Sequence, residues 1–192
     1  MKLLAAALEG AGIAATTTRE PGGSPGAERI RALLVEGEVA RWDAVTETLL
    51  HFAARRDHLE KTIRPALAAG RWVISDRFYD STVAYQGHGH GVATPLLEAL
   101  LASVVAGDRP DLTLILDLPV EAGLARAAGR AGREDRYERM DIAFHRRLRD
   151  GFHAIAAAAP ERCAIVDAAA PIAEVERRIR AIVGQRLGLS LP

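Results

Sequence analysis

The sequence predicts a three-layer α/β sandwich built around a parallel sheet. Four short apolar runs carry this reading: "IAATTT" at 13–18, "WVIS" at 72–75, "LTLILDL" at 112–118 and "CAIVD" at 163–167. Each is nearly continuous rather than alternating, as expected of strands covered on both faces. Helical patterns fill the intervals, and strands that alternate with helices assemble into a parallel sheet with helices on either side. The 192 residues contain no internal repeat or low-complexity linker, so one domain spanning 1–192 is expected.

The elements follow in order. Residues 1–9 read as a helix that stops at Gly10 and Gly12. After the first strand, Ser24 is placed to cap a helix starting at Pro25, with Glu28 in its first turn. A long helical pattern covers about 42–69, with Pro65 a kink or break. Along it, Val45, Leu49, Phe52, Leu59 and Ile63 have core spacing. Thr48, His51, Arg55, His58 and Thr62 form a second stripe on the adjacent face, while Arg56 and Asp57 read as solvated. Further helices are expected at about 94–106, 119–129, 135–158 and 171–187.

Composition narrows the function. Twenty-five basic and 25 acidic residues cancel, so no global field recruits nucleic acid or an acidic membrane. No apolar run is long enough to span a bilayer, and the N-terminus lacks a signal-peptide pattern. The lone cysteine, Cys163, lies in an apolar strand and reads as a buried thiol in a reducing cytoplasm.

Ligands of such sheets gather beyond the carboxyl ends of the strands, and the unusual residues fall there. "REPGG" follows the first strand: its glycines let backbone amides approach a ligand, Pro21 stiffens the entry, and Arg19 and Glu20 add charge. "DRFYDSTVAYQGHGHG" follows the second. Arg77 offers a rigid fork of donors suited to a phosphate, and Asp76 is placed to orient it or to hold a water on a metal. Ser81, Thr82, Tyr85 and Gln86 supply hydroxyls, a ring and an amide for a base and sugar. His88 and His90 lack the carboxylate or cysteine company of a metal site. Arg55 is one turn from both His51 and Phe52, so a ring and a guanidinium can address one planar ligand. Arg126, Arg130 and Arg133 share a face in a glycine-weakened segment that suits a lid closing on transferring phosphates.

Together "REPGG", "LLHFAARRDH", "IRPALAAGRWVISDRFYDSTVAYQG" and the lid running into "DRYE" closely resemble bacterial thymidylate kinases, over nearly the whole chain. The resemblance implies a P-loop kinase-type sandwich. It implies phosphoryl transfer from ATP to dTMP, giving dTDP for dTTP synthesis, with Mg2+ accompanying ATP and a cytoplasmic homodimer. By position, it puts Arg77 on the dTMP phosphate with Asp76 beside it near the magnesium. Arg55 goes to the thymine carbonyl, with the base-stacking position reading His51 and Phe52 next to it. Ser81 and Thr82 fall at the base edge, Gln86 close by, Tyr85 against the sugar, and Glu20 and Pro21 at the pocket wall. Arg126, Arg130 and Arg133 match a catalytic, arginine-bearing lid at about 126–137.

One part of the pattern is missing. A phosphate loop needs G-x-x-x-x-G-K-[S/T] after a strand, whereas "LEGAGIAA" has neither the lysine nor the hydroxyl and precedes a strand. Compared with the family, the chain is expected to begin partway along the first helix, without the central first strand and its loop. The strands at 72–75 and 112–118 should then stand about two 4.8 Å spacings apart or collapse together, leaving the chain poorly stable and inactive alone. The alternatives are an inactive homologue that only binds thymidine nucleotide, and a kinase of another nucleotide.

Overall fold

A computed structural model describes residues 1–128 and 136–191. Helix α1 (Lys2–Gly10) leads into strand β1 (Ala15–Arg19), and α2 (Pro25–Val35) follows. Ser24 caps α2 as expected, its hydroxyl accepting from the Ala27 amide at 3.4 Å. The same amide donates to Asp57, which also accepts from the Ser24 hydroxyl at 2.6 Å. Asp57, expected to be an idle surface group, therefore pins the start of α2 to the next helix.

That helix, α3 (Ala44–His58), begins at Asp43, whose carboxylate accepts from the amides of Val45 and Thr46. Pro65 does not break the run. A turn of π-helix, Leu59–Ile63, precedes α4 (Arg64–Ala68) and re-spaces the hydrogen-bond ladder ahead of a residue with no N–H to give. Strand β2 (Trp72–Asp76) then pairs in parallel with β1, setting Ala15 opposite Trp72 and Arg19 opposite Asp76. Next come a short helix α5 (Tyr79–Thr82), a second π-helical stretch Val83–Gly89, and α6 (Thr94–Val104). The sequence periodicity showed neither of the two segments after β2.

Strand β3 (Thr113–Asp117), α7 (Val120–Ala128), α8 (Ile142–Ala158), β4 (Cys163–Asp167) and α9 (Ile172–Leu187) complete the order. Helix α8 starts seven residues later than the 135 expected, because Asp141 turns the chain and caps it through the Phe144 amide. Strands β3 and β4 pair in parallel, Ile115 opposite Ile165. The strands at 72–75 and 112–118 were expected to stand apart or to collapse together; among the described residues there are two separate two-stranded parallel sheets, and β2 and β3 belong to different ones.

Side chains join the halves where the backbone ladder does not. Helix α8 lays Phe144 and Leu148 on Ala84, with Tyr85, Phe152 and Ile155 packed around them. One turn further on, Ala156 packs on Ile115 and Cys163 of the second sheet. Beside these apolar contacts stands a buried ion pair. Arg162, just before β4, grips both oxygens of Asp80 on α5 at 2.7 and 2.8 Å, and Thr113 of β3 donates to the same carboxylate at 3.0 Å. Removing one partner of a buried pair leaves the other charge uncompensated. Asp80→Ala is therefore expected to destabilise the fold by about 3 kcal/mol, read as a lower urea midpoint; an unchanged midpoint would contradict this tie between the halves.

Candidate functional site

Both expected stripes of α3 are largely buried, but the first half of the apolar one is not. Val45 and Leu49 are 44% and 48% exposed, although Phe52, Leu59 and Ile63 are buried as expected. Thr48, His51, Arg55 and His58 are all buried, on the face that looked polar. The reason lies across from them: that face lines a cleft closed by "REPGG" and by the segment after β2, and these supply hydrogen-bond partners in place of solvent.

Arg55 is its centre, only 2% exposed. Its Nε donates to Glu20 Oε2 at 2.8 Å and its Nη2 to the Thr82 hydroxyl at 3.0 Å. The guanidinium lies 5.0 Å from the Phe52 ring centre and 5.5 Å from that of Phe78, within cation–π range of both. Its Nη1 is equally buried and has no partner. A buried donor left unsatisfied is costly, so a fork held on two nitrogens with the third free has the form of a binding group awaiting an acceptor.

Glu20 is fixed from its other side. Its Oε1 lies 3.1 Å from Nδ1 of His58, whose Nε2 lies 2.7 Å from the Thr18 hydroxyl on β1. Gly23 covers this chain of bonds. A Cβ there would sit 2.4 Å from His58 Nε2 and 2.5 Å from Thr18 Oγ1, and its φ of +85° is one that side chains resist. The Gly23 carbonyl accepts from Thr62, its amide donates to Glu28, and the Pro21 carbonyl accepts from Arg31. The loop is thus held by hydrogen bonds on both sides.

Arg77 leaves β2 in the left-handed region, at φ 71°, its carbonyl accepting from Ser75 at 2.7 Å. Such a conformation costs a non-glycine residue energy and is found at functional sites. The turn sends the side chain to the cleft mouth, 5.0 Å from the Tyr85 ring centre. The Tyr85 hydroxyl, Asp76 and Glu138 around it favour its charged form. Asp76 is exposed beside it, and its carbonyl accepts from the Glu20 amide at 2.9 Å, so both strand ends open on one cleft.

The expected residues separate into layers. Phe52 joins the core with Val92 and Leu97 under Arg55. His51 turns to Tyr137 instead, its Nε2 2.9 Å from the phenol oxygen. Burial, then Arg55, Arg77 and Arg136, hold the His51 imidazole down at about 3, so it is a neutral ring near two cleft arginines. Ser81 is half-buried, next to Thr82. Gln86 is wholly buried, its amide donating to Glu47 at 2.9 Å and its Oε1 unpartnered. His90 sits 3.6 Å from Glu47 and against Phe144. Arg126 is exposed on α7, bonded to the Ala168 carbonyl at 3.0 Å. Arg130, Arg133 and most of the expected lid lie outside the described residues. Among those described, no group of three His, Cys, Asp or Glu side chains is placed to hold a metal.

Three contributors went unread in the sequence. Arg136 is buried against Glu47 at 2.5 Å and donates to the carbonyls of Leu34, Glu38 and Val39. It thereby anchors Tyr137, whose ring meets Tyr85 edge-on at 5.3 Å. Arg136 and Tyr137 had been taken only as part of the "DRYE" run. Glu47 lies one residue off the polar stripe, and nothing in its spacing marks it.

The sequence model of the thymidylate kinase family matches residues 1–179. The thymidylate kinase of Caulobacter vibrioides is 53% identical over 189 residues, covering 98% of this chain and 90% of that one. That of Jannaschia sp. is 54% identical over 170 residues, 88% of this chain and 81% of its own. The crystal structure of thymidylate kinase from Ehrlichia chaffeensis superposes with a TM-score of 0.73 at 30% identity, covering 95% of this chain and 87% of that one.

The neutral state of His51 has a pH signature. An unfolded chain binds the proton near 6.5 and the native one only near 3. Stability from this group is therefore full above about pH 6.5 and is lost as pH falls towards 3. Wild type should lose about 2 kcal/mol more than His51→Gln between about pH 7 and about pH 5, measured by urea unfolding; equal losses would contradict the assignment.

Proposed function

Because the chain belongs to the thymidylate kinase family, we propose that its cleft binds dTMP for phosphoryl transfer from ATP, giving dTDP. One observation carries the reading: the buried, unpartnered Nη1 of Arg55, on a guanidinium held by Glu20 and Thr82. A nucleobase carbonyl is an acceptor of the right kind, presented edge-on to the fork. At the other end of the cleft, Arg77 has the charge and donors for the 5′-phosphate.

Between these ends, the Tyr85 ring bounds the sugar, and Ser81 and Thr82 lie along the base edge. Tyr137 and the neutral His51 form the wall facing the base. Phe52 acts from below, packing under Arg55 rather than reaching the nucleotide. Glu20 and Pro21 close the side, Gln86 with Glu47 supports it, and Asp76 stands beside the phosphate. The protein contributes positioning and charge neutralisation rather than a general base. Magnesium belongs with the phosphates of ATP, which hold most of its coordination sphere; Asp76 is the protein carboxylate best placed to face a water on it. Arg126, Arg130 and Arg133 retain the lid role the family resemblance gives them.

The exposed Val45 and Leu49 on the outer face of α3 favour a homodimer packed there. Among the described residues, no helix is long and apolar enough to cross a membrane, and Cys163 is a free buried thiol. A cytoplasmic location accompanies the proposed activity.

A second reading, binding of thymidine nucleotide without turnover, draws on the absence of G-x-x-x-x-G-K-[S/T] from these 192 residues. Calorimetry with dTMP and a dTDP-formation assay with ATP separate the two. Binding with turnover identifies the kinase, binding without it the second reading, and no dTMP binding overturns both. Arg77→Gln should weaken dTMP at least tenfold and leave thymidine within about twofold; equal losses for both ligands would remove Arg77 from the phosphate.

A further inference from the structure

We propose that His58 is a positioning residue that sets the base preference of the cleft, by fixing Glu20 and through it Arg55. The proposal rests on the reading of Arg55 as the base-binding group. His58 touches no part of the open cleft: it is fully buried, beneath Gly23. Its two nitrogens span the gap between β1 and the carboxylate that holds Arg55. In the neutral ring, Nδ1–H donates to Glu20 Oε1, and Nε2 accepts from the Thr18 hydroxyl.

The geometry gives His58 a directional job. Arg55 binds the opposite oxygen of the same carboxylate, Oε2. A carboxylate held at both oxygens cannot rotate about its terminal bond without giving up a partner, so the His58 bond at Oε1 fixes the plane in which Oε2 meets Nε of Arg55. With Thr82 holding Nη2, that plane decides where the free Nη1 points. The loop packs down on the same point. Gly23 has no room for a Cβ over His58 and Thr18, and Thr62, one turn beyond His58, donates to the Gly23 carbonyl at 2.7 Å. The chain Thr18–His58–Glu20–Arg55 therefore runs from the end of β1 to the group that meets the base.

The consequence is selective. An aimed Nη1–H rewards a base that offers a carbonyl oxygen at that position and gives nothing to one that offers an amino group there. Loss of aim should weaken dTMP and leave dCMP, which carries the amino group, nearly unchanged. The two nitrogens can be deleted separately. An asparagine places its amide nitrogen where Nδ1 lies and keeps the bond to Glu20, whereas a glutamine reaches the position of Nε2 and keeps only Thr18.

Two readouts test this on the whole chain. In the nucleotide-free protein, solvent exchange of the Arg55 Nε–H, followed by 15N NMR, should quicken about tenfold in His58→Ala and His58→Gln and stay near wild type in His58→Asn. By calorimetry, the first two variants should bind dTMP about tenfold more weakly with dCMP within about twofold, while His58→Asn keeps the preference. Exchange that quickens equally in all three variants, in step with their melting temperatures, would show a merely structural histidine and overturn the proposal. So would unchanged exchange in His58→Ala. Altered exchange with no dTMP binding by wild type would uphold the positioning of Arg55 and instead overturn the functional reading beneath it.

Discussion

A buried guanidinium is the constraint on which the rest of this structure depends. Taking Arg55 out of water costs several kcal/mol unless its charge and its donors are matched. Each neighbouring element contributes to that match: β1 ends so that Glu20 meets Nε, α5 turns Thr82 towards Nη2, and Phe52 and Phe78 cover the faces. The match stops one donor short. That incompleteness distinguishes a binding group from a structural ion pair such as Asp80–Arg162, in which both carboxylate oxygens and both terminal nitrogens are engaged.

The same constraint explains the buried polar face of α3. A helix usually buries its apolar stripe alone, but here Thr48, His51, Arg55 and His58 face inward too, because the cleft loops satisfy them. Val45 and Leu49 are left on the outside. His51 shows the electrostatic side of this arrangement: burial, then Arg55, Arg77 and Arg136, keeps it uncharged, so its ring adds no cation to that wall.

Much of this was legible in the sequence. The four strands fell where continuous apolar runs put them, because burial on both faces leaves a strong local signal. Arg55, Arg77 and Thr82 were legible because polar groups directly after buried strands, or at helical spacing beside a core stripe, have few bland uses. Glu47, Arg136 and the His58 relay were not: their partners lie far along the chain, and only the fold shows that Arg136 reaches the carbonyls of 34, 38 and 39. Val45 and Leu49 were misread for the same reason, since periodicity finds a stripe but not where along its length the interior ends. Which edges pair is not stated by apolar runs, which identify strands alone; β2 and β3 stand in separate sheets joined through α8 and Asp80.

The central claim is geometric, that one cleft holds a thymidine nucleotide with its base on Arg55 and its phosphate on Arg77. A crystal structure of the chain with dTMP tests it most directly. The account predicts a thymine carbonyl oxygen about 3 Å from Arg55 Nη1 and the phosphate on the Arg77 guanidinium. A nucleotide bound with Nη1 still unpartnered, or with its phosphate away from Arg77, would contradict it.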